Sequence, residues 1–409
     1  MRLTRLTLIN FRNYSRLELA LHRPLTVLQG ENAQGKSNLL EAIYLLATSR
    51  SPRASADREI INWLAADDLQ PYARIDADVE RADRAERVEI TILKNNGAVN
   101  GTAVRKQIRI NGVNRRALDL LGHLNVVLFV PQDVDLVAGS PSLRRRYLDI
   151  TLCQINPKYC RALSAYNQVI VQRSHLLRRL RERAGDPEQL RYWDETLAEQ
   201  GAEVMAWRRK AIQMLDQLAG AIHDDLAGGK ELLHLHYQPS LALSEELQPS
   251  PDMELTVADE EISGIRAEFA RKLPQIRKQE VLQGACLAGP HRDDLRFIVN
   301  GRDLQTYGSR GQQRTAALSL KLAETQLMQR ATGEYPVLLL DDVLSELDAP
   351  RRQYLLQAVS GAQQAVITTT DFHLFPNSFL NGVAQMQVIE GRIRELNAHA
   401  AEEAHDEDD

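Results

Sequence analysis

Residues 30–37 read GENAQGKS: a glycine, four residues, then glycine, lysine and a hydroxyl. Gly30 and Gly35 allow the backbone N–H groups of Glu31, Asn32, Ala33 and Gln34 to curl around phosphate oxygens. Lys36 would reach the outer phosphates and Ser37 would offer its hydroxyl to Mg2+. The flanks suit this chemistry. The apolar run Thr26-Val27-Leu28 precedes it, and from Asn38 onward the chain is helix-periodic, so a helix N-terminus would face the phosphates. A chance glycine-rich turn requires neither flank. Residues 336–342, PVLLLDD, form an apolar run that ends in two acids. Such a run describes a buried strand whose C-terminal carboxylates face a nucleotide. Asp341 would serve the Mg2+ shell, and Asp342 would orient or deprotonate the attacking water. Read alone, it is as well explained by a strand ending in acidic turn residues; the phosphate loop tips the balance.

Two further stretches have less meaning in isolation. Residues 307–314, YGSRGQQR, stand directly before a long helical pattern, and Ser309 and Gly311 would open a helix able to hold a phosphate. They lie far in sequence from the first loop, which suggests a γ-phosphate gripped from two sides. Residues 344–348, LSELD, follow the second acid and by themselves read as a capped helix start.

In this order the four motifs resemble those of ATP-binding-cassette ATPases of the SMC and RecF type. About 170 residues separate Gln132 from Ser309, and at ~1.5 Å per residue, folded back on itself, such an insert cannot build a long coiled-coil rod. This points to the RecF branch. So do NFRNY at 10–14, VPQD at 130–133, GSP at 139–141, RRRYLD at 144–149 and GPHRDD at 289–294, and the similarity runs over about residues 1–395.

The resemblance implies an α/β fold: a phosphate-loop ATPase head of the ABC type made from N- and C-terminal parts, with a mostly helical inserted arm domain. It implies ATP and Mg2+ as ligands and an ATP-dependent homodimer with slow hydrolysis. It also implies binding to single-stranded DNA, linear double-stranded DNA and gap junctions, and action with RecO and RecR to load RecA. Carried over by residue, 30–38 and Arg12 would bind nucleotide, and Ser37, Gln132 and Asp341 would serve Mg2+. Asp342 and Gln132 would serve catalysis. Ser309, Arg310, Gly311 and Gln312 would close on the partner subunit's γ-phosphate, and Ser345, Glu346, Leu347 and Asp348 would cross the dimer.

Three departures matter. The signature is Ser-Arg-Gly-Gln, not the Ser-Gly-Gly of transporters. The second acid is the shorter Asp342 rather than Glu, which fits slow turnover. The switch histidine is missing, its place falling to Thr370 or Asp371, with His373 read as a surface residue. A small-molecule phosphotransferase would need an acceptor pocket and lid and leaves 309–314 and 345–348 unexplained. A transporter ATPase would want a membrane partner and a standard signature.

The elements that must position these residues follow from periodicity. Strands are expected at 3–10, 25–29, 73–79, 88–93, 106–110 and 126–130, a helix at 37–47, and a hairpin turn at Asn111-Gly112. From about 142 to 226 the pattern is helical and rich in Arg, with breaks at 185–187 and 228–229. A short strand at 234–238, a loop or insert at 239–262 and a helix at 268–286 follow. Beyond lie a strand at 295–299, a second turn at Asn300-Gly301, a long helix at 312–330 and strands at 337–340 and 365–369. This suggests a head from 1–141 and 287–398, an arm from 142–286 and a disordered acidic tail from 399–409.

Charge is uneven. The chain of 409 residues carries −5, but six acids sit in the tail AEEAHDEDD, and without them the body is at +1. Residues 144–185 hold ten Lys or Arg and two acids, a source of phosphate contacts for which Arg144, Arg145, Arg146, Arg178, Arg179 and the 173–183 helix are candidates. No base-reading motif is visible. His291 and Arg292 fit either a site near nucleotide or DNA or an ion-paired turn, and His234 and His236 read as structural. Three cysteines at 153, 160 and 286 fit neither a disulfide framework nor a zinc pattern, and no apolar run reaches the ~18 residues of a membrane helix. The expected setting is reduced and cytoplasmic.

Overall fold

The computed structural model describes residues 1–65, 70–94, 104–182, 185–241 and 254–396. The acidic tail at 399–409, Arg183 and residues 242–253 of the 239–262 loop lie outside the described residues.

The chain opens with strands β1 (Arg2–Phe11), β2 (Tyr14–Ala20) and β3 (Leu25–Gln29) and helix α1 (Lys36–Thr48). Strands β4 (Tyr72–Glu80), β5 (Ala85–Lys94), β6 (Val104–Ile110), β7 (Val113–Arg115) and β8 (Val126–Phe129) follow. β1, β2 and β4–β7 build an antiparallel sheet in the order β2-β1-β4-β5-β6-β7. Its buried face takes Leu3, Leu6, Leu8 and Phe11 from β1, and a register shift between Leu3 and Arg5 absorbs the three-residue step that breaks strict alternation. Asn111 and Gly112 both have positive φ, 53° and 78°, the backbone of a two-residue hairpin turn.

The middle of the chain is helical: α2 (Pro141–Ile155), α3 (Pro157–Arg181), α4 (Leu190–Ala227) and, after β9 (Leu233–Gln238), α5 (Asp259–Gln283). Strands β10 (Asp294–Val299) and β11 (Arg302–Asp303) and helix α6 (Arg310–Thr332) complete this region. α5 begins nine residues before the expected 268, because Asp259, Glu260 and Glu261 occupy its first turn, where acids are favoured by the helix dipole. The acids at the end of the expected loop are thus helix-start residues. β9 and β11 flank β10 in a three-stranded antiparallel sheet, with Asn300 and Gly301 in the turn.

The last part alternates: β12 (Val337–Asp341), α7 (Ala349–Ser360), β13 (Ala365–Thr369), β14 (Ala384–Ile389) and β15 (Arg392–Glu395). With β3 and β8 these strands form a sheet in the order β15-β14-β3-β13-β12-β8, parallel except at β15. Every residue of β12 and β13 is buried, the pattern of parallel strands covered on both faces.

Two compact units result. One comprises Met1–Pro131 and the described residues from Glu334 onward; the other is Gln132–Gly333. These compact units divide at 131/132 and 333/334, where the sequence places the divisions between head and arm at 141/142 and 286/287. The helix α6, which the sequence places in the C-terminal part of the head, packs along α4 within the second unit. In the second unit buried ion pairs accompany the apolar core. Arg208 is fully buried and bonds Asp149 at 2.7 Å and the Pro290 carbonyl at 2.6 Å, while buried Arg173 bonds Asp194 and Glu280.

Candidate nucleotide site

The phosphate loop lies between the end of β3 and the start of α1, held by residues distant in sequence. Gly35 has φ 115°, and a side chain there would meet Asn13 at 2.6 Å. Asn13 Nδ2 donates to the Gln34 carbonyl at 2.9 Å and its Oδ1 accepts from Asn38 Nδ2 at 2.8 Å, while Tyr14 Oη donates to the Gly35 carbonyl at 2.9 Å. From the far side the β14–β15 turn closes on Gln34: the Glu390 N–H donates to Gln34 Oε1 and the Gly391 N–H to the Gln34 carbonyl, at 2.7 and 3.1 Å. Gly30 packs so near β14 that a Cβ would meet the Val388 carbonyl at 2.5 Å. Asn13, Tyr14 and the 390–391 turn thus fix a loop that its own sequence leaves pliable, and none of them is marked by the loop's motif.

The ammonium of Lys36 is buried and donates to the carbonyls of Gly30 and Glu31 at 2.6 and 2.7 Å. Burial lowers its pKa below the ordinary lysine value, and the charges of Asp342 and Asp341 act the other way. Ser37 Oγ donates to Asp341 Oδ1 at 2.6 Å, so the expected Mg2+ ligands of the loop and of β12 are in contact. Arg53 reaches Asp341 Oδ2 at 3.1 Å. Asp342 leaves β12 in the left-handed region, φ 51° and ψ 23°, at a cost of about 1–2 kcal/mol for a non-glycine residue. Its Oδ1 is buried with no hydrogen-bond partner among the described residues. Burial raises its pKa above the ordinary carboxylate value; Lys36 opposes that shift and Asp341 adds to it. A strained backbone and an orphaned oxygen beside a buried lysine form a polarised pocket edge that a hydrated, charged ligand would complete.

Arg12, expected near the phosphates, forms a bidentate pair with Glu41 of α1 at 2.7 and 2.9 Å and a bond to the Glu59 carbonyl. Glu41 also takes Ser51 Oγ at 2.5 Å, and Ser51 Oγ accepts the Arg53 N–H, so Glu41 anchors the segment that carries Arg53. Asp371 and His373 are exposed, and the Asp371 side chain caps a short turn by accepting the His373 N–H. Thr370 is exposed as well. Behind them, buried Thr368 bonds both acids, a contact that no motif announces. Ser345 donates to the Asp342 carbonyl, Leu347 is buried, Glu346 is exposed, and Asp348 caps α7 through the Arg351 N–H.

The second unit carries the remaining motif residues. Gln132 is exposed. Ser309 and Gln312 form a reciprocal capping box at the start of α6, and Gln312 Nε2 also donates to Glu231 at 2.8 Å. Arg310 and Gly311 are exposed, which leaves this helix start open to solvent.

The basic segment divides sharply. Arg144 is buried and bidentate to Asp294 at 2.7 and 2.9 Å, and Arg173 is fully buried, so neither is a surface contact for DNA. Their charges are consumed inside the fold because each has a dedicated carboxylate partner. Arg145 is half-buried on the Asp293 carbonyl, whereas Arg146, Arg178 and Arg179 are exposed. His291 and Arg292 are hydrogen-bonded within their turn: His291 Nδ1 is 2.6 Å from Tyr166 Oη and its Nε2 is 3.1 Å from the Cys286 carbonyl, which also accepts from Arg292. Burial pulls the His291 pKa down to about 4. His234 and His236 are exposed, and among the described residues no cluster of three or more His, Cys, Asp or Glu side chains is arranged to hold a metal ion. No described helix is long and apolar enough to cross a membrane.

The family profile described as RecF/RecN/SMC N terminal domain matches residues 2–390. The chain is 45% identical to the DNA replication and repair protein RecF of Herpetosiphon aurantiacus over 402 residues, 96% of this chain and 99% of that protein. It is 44% identical to the protein of the same name from Chloroflexus aurantiacus over 399 residues, 95% and 98% of the two chains. Among solved structures it resembles the recombination mediator protein RecF of the RecFOR pathway in its ATP-bound form, with a TM-score of 0.82, 32% identity and coverage of 97% of each chain. An Smc head bound to the C-terminal winged-helix domain of ScpA, 13% identical with a TM-score of 0.52, shares the fold.

Proposed function

Because the chain belongs to the RecF/RecN/SMC family, with the ABC-type ATPase head fold of that family, we propose that it is an ATP-driven DNA-binding switch of recombinational repair and replication. The observation that carries this reading is the meeting of Lys36, Ser37, Asp341 and Asp342 at one end of the parallel sheet, with Asp342 Oδ1 left unpaired. On this reading the N–H groups of the 30–37 loop bind the triphosphate, and Lys36 exchanges the Gly30 and Glu31 carbonyls for phosphate oxygens. Ser37 and Asp341 would hold Mg2+, whose charge would offset that of the phosphates. One carboxylate and one hydroxyl suit this ion, which usually keeps several waters and takes substrate phosphates as ligands. Asp342 orients water at its unpaired oxygen and accepts its proton, a role that its raised pKa favours.

Ser309–Gln312 would close on the nucleotide of a second copy, giving an ATP-dependent homodimer that hydrolysis releases. An exposed capping box with adjoining N–H groups suits an anion supplied from outside the chain. Exposed Arg146, Arg178 and Arg179 supply DNA backbone contacts without base reading. Partnership with RecO and RecR in loading RecA at gaps extends the reading, on the strength of relatives named for DNA repair and of structures named for the RecFOR pathway. The direct test is ATP binding, ATP turnover and retention of gapped DNA by wild type, Lys36→Met and Asp342→Asn. Lys36→Met should lose all three, and Asp342→Asn should lose turnover alone. Normal ATP affinity in Lys36→Met would overturn the assignment.

A further inference from the structure

Thr368 lies on β13, 1% exposed, and the parallel register sets it opposite Asp341. A threonine there is unremarkable as a strand former, and valine would fill the same space. What valine lacks is the hydroxyl, and this hydroxyl touches both acids of the site. Thr368 Oγ1 accepts the N–H of Asp342 at 3.0 Å and lies 3.0 Å from Asp341 Oδ1 and 3.4 Å from the Leu340 carbonyl. A hydroxyl has one proton to give, and the nearer, charged carboxylate is its stronger acceptor. The result is a chain from the Asp342 N–H through Thr368 to Asp341 Oδ1, the oxygen that also takes Ser37 Oγ. The N–H so engaged belongs to the residue in the left-handed conformation, whose Oδ1 is unpaired.

We propose that Thr368 is a positioning residue for ATP hydrolysis, its single hydroxyl fixing the water-orienting acid relative to the acid assigned to Mg2+. The proposal rests on the nucleotide-site reading above. Without the hydroxyl, the Asp342 N–H loses its acceptor, the left-handed turn loses its tether, and the Asp342 carboxylate is free to drift. Phosphate binding depends instead on the 30–37 loop and Lys36, whereas the hydrogen bonds of Thr368 go to Asp342, Asp341 and Leu340. The two properties should therefore separate.

The test compares full-length wild type, T368V, T368A and T368S for equilibrium binding of a fluorescent ATP analogue and for single-turnover cleavage of Mg-ATP. T368V and T368A should bind within about threefold of wild type, while cleavage slows about 10- to 100-fold, the scale of a misplaced reacting group. T368S, which keeps the hydroxyl, should return to within about threefold of wild type. Either apolar variant that binds ATP supports the comparison if the other fails to fold. Cleavage by T368V at the wild-type rate would overturn the role of Thr368 alone, as would a T368S as slow as T368V. A wild-type chain that neither binds nor cleaves Mg-ATP would overturn the nucleotide-site reading and the role of Thr368 with it.

Discussion

Lys36 and Asp342 face each other across the candidate site, and their charges do different work. Lys36 is the group whose removal should abolish binding: Lys36→Met is expected to weaken ATP affinity at least about 100-fold, measured by fluorescence titration. Asp342→Asn keeps shape and hydrogen-bonding capacity but loses the proton acceptor. It should bind ATP normally and cleave it at least about 100-fold more slowly in a single-turnover assay. Because burial raises the Asp342 pKa, wild-type cleavage should rise with pH through a titration lying above the ordinary carboxylate range, and Asp342→Asn should lose that limb. A second pH effect concerns stability. Buried His291 has its pKa lowered to about 4 from an ordinary 6.5, so the folded protein favours the neutral ring. Its contribution is fully present above pH 6.5 and is lost as pH falls towards 4, because the unfolded chain takes up the proton first. Thermal stability should therefore drop between pH 7 and 5, and His291→Gln should flatten that slope in a melting series.

Elements explain why some of this could be read in advance and some could not. The phosphate loop, the apolar strand before Asp341 and the two Asn-Gly turns announce themselves because their chemistry is local. Asn13, Tyr14, Thr368 and the 390–391 turn do not, since they lie outside the motifs they support, 21 residues away for Asn13 and Tyr14, 26 for Thr368 and 356 for Glu390. Arg residues were the least legible. A buried Arg144 and an exposed Arg146 look alike in sequence, and only the partner carboxylate at Asp294 distinguishes them. The GPHRDD stretch gains its meaning the same way: Asp293 takes the Ser240 N–H and the hydroxyl of Tyr237, and Asp294 takes Arg144. Arg208 ties this turn to α2 and α4. Arg208→Ala removes the buried cation that bonds part-exposed Asp149 and lies 3.9 Å from buried Asp293, and should destabilise the second unit by about 3–5 kcal/mol, read as a lower melting temperature. Equal stability would show that this buried cation is dispensable.

At the scale of the whole molecule, the chain keeps its phosphate loop and its two acids in one compact unit and the helix start at Ser309–Gln312 in another. A switch that closes around ATP between two copies gives both halves a use. Ser309→Arg should then bind ATP with wild-type affinity and fail to pair, since a bulky cation would replace the small cap that faces the partner's nucleotide. The most direct measurement is light scattering on full-length protein eluting from a sizing column, with and without ATP and Mg2+, for wild type and Lys36→Met. The account predicts a shift from monomer to dimer with nucleotide, absent in Lys36→Met. A wild-type chain that binds ATP yet stays monomeric, with and without gapped DNA, would contradict it.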